Sequence, residues 1–89
     1  MNILDEANKI VNLRAEEKER QYGPFIECNE KCAKIASLLA NKKFTTEDVY
    51  FIQIALKLAR NSFSYKEDSL LDAVAYIGAY NNFKNDIEL

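Results

Sequence analysis

Two cations and two carboxylates face each other across a short connector in this chain of 89 residues. Lys57 and Arg60 close one apolar stretch, and Asp68 and Asp72 open the next. An ammonium and a guanidinium on neighbouring helical turns can hold phosphate oxygens. Two carboxylates one turn apart can offer oxygens to Mg2+. Tyr76 stands one turn beyond Asp72, where its ring can stack on, or hydrogen-bond to, a base. The same four charges also suit a salt-bridge network, with cations at a helix C-terminus and anions at an N-terminus, as the helix dipoles favour. At the level of sequence both readings stand. A further pair of acids, Glu27 and Glu30, lies at i, i+3 and shares a helix face. Paired acids on facing helices are how helical bundles build Mg2+ or Mn2+ sites, although a solvated face explains the same spacing.

The rest of the composition narrows the chemistry. There is no His, so Ser-His-Asp and Cys-His nucleophile systems, His-metal triads and imidazole acid–base catalysis are excluded. Any hydrolysis must then use a metal-bound water as nucleophile. Twelve Lys and Arg against fourteen Asp and Glu give a net charge of −2. The bases are scattered: Arg14, Lys18 and Arg20 alternate with Glu16, Glu17 and Glu19. Nonspecific nucleic-acid binding, which needs a concentrated basic face, is disfavoured. Cys28 and Cys32 are spaced by four, outside the CxxC pattern of zinc or redox sites, and no second pair exists. They read as reduced thiols filling a core in a cytoplasmic protein. No run reaches the roughly 18 apolar residues of a membrane span, and the opening MNILDEANK is not a signal-peptide pattern.

The elements that must position these residues follow from periodicity. Only two Gly and one Pro occur, too few for an all-β fold. Apolar residues at Ile3, Leu4, Ala7, Ile10 and Val11 predict a first helix over about 3–20, whose charged second half faces solvent. Tyr22-Gly23-Pro24 breaks it. A second helix is expected over about 24–41, with Phe25, Cys28, Cys32, Ile35, Ala36 and Leu39 as its apolar face. Thr45-Thr46-Glu47-Asp48 is a capping signal for a third helix over about 46–63. Asp68-Ser69 opens a fourth over about 68–83. The expected fold is all-α: residues 1–89 as a single four-helix bundle-like domain with short loops and antiparallel neighbours.

The third and fourth helices are apolar nearly all round. In the third, Gln53, Lys57 and Arg60 make one narrow polar stripe with Tyr50. Helices of this kind belong in the middle of something. Two of them in so short a chain predict a homo-oligomer, a dimer with these helices near its centre.

Taken together, Tyr22-Gly23-Pro24, Thr46-x-Asp48, Lys57-x-x-Arg60 and Asp68-Ser69-x-x-Asp72-x-x-x-Tyr76 resemble the pattern of a family of small phage and prophage proteins whose first helix starts like Ile3 to Ala7. That family is loosely similar to the MazG-like nucleoside triphosphate pyrophosphohydrolases, which bind nucleotide and Mg2+ between helices of an oligomer. The resemblance implies a cytoplasmic protein of an infected or lysogenic bacterial host. It further implies a nucleotide ligand held by Lys57 and Arg60, with Tyr22 or Tyr76 on base or sugar. Mg2+ would be held by Asp68, Asp72, Glu27 and Glu30, the ExxE and ExxD motifs of the relatives. The second motif here has a spacing of four rather than three. The alternative is a non-catalytic phage inhibitor of host defence, acting as a nucleotide-signal sponge or by binding a host protein.

Overall fold

The structure is a computed structural model that describes residues 2–13 and 24–85. Among these residues there are four α-helices and no strand. We label them α1 (Ile3–Asn8), α2 (Phe25–Ala40), α3 (Thr46–Phe63) and α4 (Glu67–Lys84).

Asn2 starts α1 by accepting a hydrogen bond from the Asp5 backbone N–H at 2.9 Å. The helix does not stay α-helical as the sequence predicts. It widens into a π-helical segment over Lys9–Leu13. This segment packs against α4, where Val11 Cγ2 lies 3.8 Å from where a Cβ on Gly78 would stand. A methyl group at position 78 would make only ordinary van der Waals contact there, so the packing does not depend on glycine. Residues 14–20, expected as the end of the first helix, lie outside the described residues.

α2 follows Pro24 and ends at Asn41, which takes the left-handed conformation at φ 53°. Both Asn41 and Lys42 donate backbone N–H groups to the Ser37 carbonyl. The Ser37 hydroxyl also donates to the Ala33 carbonyl at 2.7 Å and accepts from the Phe44 N–H at 2.8 Å. One serine therefore fixes the corner between α2 and α3. α3 opens on a full capping box. Thr45 Oγ1 accepts from the Asp48 N–H at 3.1 Å, and Asp48 Oδ2 accepts from the Thr45 N–H at 2.8 Å. Its observed span equals the expected one. α4 starts at Glu67, and its first residues carry no capping side chain. Ser69, expected at the opening, is instead buried inside the first turn.

The hairpin of α3 and α4 is antiparallel. Lys57 meets Asp72 near the connector, and Glu47 meets Lys84 at the far end. α2 lies along α3, and α1 with its π segment lies along α4. The buried apolar residues are few and mostly small: Ala7, Ala33, Val49, Tyr50, Ala73 and Ala75.

The packed face of α2 corrects the sequence expectation. Asn29 and Ala33 turn inward, with Ile26, Ala36 and Ser37 half-buried. Cys28 and Cys32 are free thiols, as expected, but exposed rather than in the core. Ile35 is 50% exposed and Leu39 83%. Hydrophobic periodicity put these residues inward. The helix is instead rotated so that the Asn29 amide meets an amide of α3. No helix among the described residues is long and apolar enough to cross a membrane.

Candidate functional site

The most chemically dense region runs along the inner side of α3, where α2 and α4 both approach it. Its deep end is Tyr50, with no exposed surface. The ring meets Phe25 edge-on at 5.6 Å and stacks near Phe83 at 4.9 Å. Burial raises the hydroxyl's pKa above its ordinary value, the nearby Asn29 amide opposes this, and Glu30 adds to it. Asn29 lies close, yet the hydroxyl completes no hydrogen bond.

Beside it, the Asn29 and Gln53 amides pair reciprocally. Gln53 Nε2 donates to Asn29 Oδ1 at 3.1 Å, and Asn29 Nδ2 donates to Gln53 Oε1 at 3.4 Å. The pair satisfies two groups that burial would otherwise penalise. One turn further along α3 comes Lys57, whose side chain is only 18% exposed. Its Nζ lies 3.0 Å from Asp72 Oδ2 and 6.0 Å from the centre of the Tyr76 ring. That ring stacks in parallel with Phe25 of α2 at 6.0 Å, 2° from coplanar. Lys57, Asp72 and Tyr76, three of the residues singled out by sequence, therefore do converge.

The others do not join them. Arg60 and Asp68 are exposed and make no ion pair among the described residues. Glu27 and Glu30 are exposed on α2. Tyr22 lies outside the described residues. Among the described residues no three Asp, Glu or Cys side chains gather into a group able to hold a metal ion. The described residues therefore hold no ready ligand set for Mg2+ within one copy of the chain.

At the other end of the hairpin sits a second polar group. Glu47 Oε2 accepts from the Tyr80 hydroxyl at 3.0 Å and pairs with Lys84 Nζ at 2.9 Å. These bonds, Lys84 first and Tyr80 next, hold the Glu47 carboxyl below its ordinary value. Burial and then Glu47 raise Tyr80, and Glu47 raises Lys84.

A family model described as a domain of unknown function, DUF6378, matches residues 2–84. The chain belongs to this family. No curated protein and no solved structure matches it. The DUF6378 match spans all four helices, so the seam on α3 lies wholly inside the family domain.

Sequence reasoning missed Asn29 as the partner of Gln53. The signal was available: an Asn within an otherwise inward run of α2, at a helical position shared with Ala33 and Ala36. It also missed the Tyr80–Glu47–Lys84 tie, whose residues are far apart in the chain. A further feature had no sequence signal. An open hollow of about 670 Å³ at the α2–α3 corner is lined by Lys34, Ser37, Leu38, Asn41, Lys42, Lys43 and Phe44. Lys42 lies over the Phe44 ring at 5.5 Å there.

Proposed function

We propose that this protein binds a nucleotide-like phosphate ligand at the Lys57 end of the seam. The observation that carries the reading is Lys57 itself. A mostly buried ammonium, oriented by Asp72 and set beside an aromatic ring, is a preorganised cation. A ligand phosphate would take over Asp72's place opposite Lys57. Arg60, three residues on and exposed, adds a second cation at the mouth. Tyr22 or Tyr76 would meet base or sugar. The resemblance to phage and prophage proteins supports a role in an infected or lysogenic bacterial host. Because one chain does not assemble a three-carboxylate set from Glu27, Glu30, Asp68 and Asp72, the reading is of binding. MazG-like Mg2+-dependent hydrolysis is an outcome that the same assay detects.

A second reading is favoured by the exposed Leu38 and Leu39 of α2. Here the protein is a non-catalytic inhibitor that docks on a host-defence protein and needs no ligand. The test is a panel of nucleoside triphosphates, each with and without Mg2+, read by melting temperature and by phosphate release. We expect a nucleotide-induced rise in melting temperature that Lys57→Ala and Arg60→Ala abolish without loss of helicity. The absence of both a shift and phosphate release with every nucleotide would refute the ligand reading and leave the docking one.

A further inference from the structure

α3 buries one side against α2 and α4, yet its opposite side is as apolar as its core side. Ile52, Ala55, Leu56, Ala59 and Phe63 follow one another at helical spacing along that outer side. All five are exposed, Ile52 and Leu56 by about half and Phe63 by 94%. Phe51 and Leu58 flank the stripe and are exposed too. No charged side chain interrupts it: Lys57 turns towards Asp72 on α4, and Arg60 falls at its edge by helical position.

We infer that this face of α3 is covered by the same face of a second copy of the chain, in a two-fold dimer. Three features favour a second copy over another partner. First, an isologous interface must be self-complementary, and an uncharged apolar stripe meets its own image without like-charge repulsion. Second, the seven exposed apolar residues are spread along α3 from Phe51 to its end at Phe63. Their combined surface is of the order of the ~800 Å² per partner that a standard interface buries. Third, among the described residues the buried apolar side chains are mostly alanines. Apart from Val49, Tyr50 and the half-buried Ile54, the large aliphatic and aromatic side chains of α3 are on the outside, as in an obligate interface that resembles a core cut in half. The inference goes beyond the ligand reading and is tested without any nucleotide.

Light scattering after size exclusion should return twice the chain mass of 10.2 kDa. Ala59→Arg, which places a cation mid-stripe at an already exposed position, should give monomers or weaken association by at least ~100-fold. Leu39→Arg on α2 should leave the dimer intact. To guard against a variant that fails to fold, Ala59→Cys in a Cys28→Ser/Cys32→Ser background should be captured as one dimer band by a short bis-maleimide. A wild-type monomer at 100 µM overturns the inference. So does a dimer that survives Ala59→Arg, one that Leu39→Arg dissociates instead, or a cysteine at position 59 that does not cross-link.

Discussion

Tyr50 is the residue where packing and polarity conflict most. Its ring is the largest fully buried side chain, wedged among Phe25, Tyr80 and Phe83, while its hydroxyl is buried without a completed hydrogen bond. An unmade hydrogen bond in the interior costs about 1–3 kcal/mol, whereas the ring's burial is strongly favourable. Tyr50→Phe keeps the ring and removes the orphan group. Urea unfolding should show stability unchanged or raised by up to about 1 kcal/mol. A loss of more than that would mean the hydroxyl has a partner in solution. Sequence periodicity places Tyr50 on one stripe with Gln53, Lys57 and Arg60; the first three line the inner side of α3, and Arg60 is exposed. It could not show that Asn29 lies opposite, because the pairing depends on the rotation of α2, and a single helix's pattern carries no information about its neighbour's amides.

At the scale of elements, the α3–α4 hairpin is held at both ends by charge: Lys57–Asp72 at the connector and Tyr80–Glu47–Lys84 at the open end. The second group gives the hairpin a pH dependence whose sign can be worked out. The Glu47 pKa is lowered in the fold from an ordinary 4.5. Its contribution is thus fully present above that value and is lost as pH falls through the lower folded one. The Lys84 pKa is raised from 10.5, so its contribution is present below that value and is lost as pH rises through the higher folded one. Glu47→Gln should lower the melting temperature slightly at neutral pH, and the gap from wild type should close below about pH 4.5. A gap that stays constant down to pH 2 would rule out the carboxylate as its cause. The helix starts were legible to different degrees for a local reason. Thr45 and Asp48 cap each other through groups three residues apart, so sequence alone locates the start of α3. The start of α4 has no such signal, and the expected opening at Asp68-Ser69 falls one residue late. The π-helical segment after α1 was not foreseen because such a turn leaves no mark in apolar spacing.

For the whole molecule, the four-helix all-α architecture was readable because so few Gly and Pro leave few places to break a helix. What sequence could not decide was which apolar faces the chain buries in itself. It assigned Cys28, Cys32, Ile35 and Leu39 inward on amphipathic pattern alone. Among the described residues the fold instead fills its interior with alanines, Val49, Tyr50 and an amide pair, and leaves other large side chains outside on α2 and α3. If the outer face of α3 is an interface, association and folding are linked, because only the folded state dimerises. Calorimetry over a ~100-fold dilution should then show the melting temperature falling by several degrees. A midpoint independent of concentration would mark a chain that folds alone.

The corner at Ser37 has a consequence for valency. By tying Asn41, Lys42 and Phe44 to one hydroxyl and one carbonyl, it makes α2 and α3 a rigid bracket. The uncovered side of α2, with Ile35, Leu38 and Leu39, is therefore held at a fixed angle to α3. A two-fold pair joined through α3 closes on itself and carries two such α2 faces pointing in symmetry-related directions. Such a pair would be bivalent: a partner docking on α2 would be gathered two at a time, at a separation set by the corner rather than by a flexible tether.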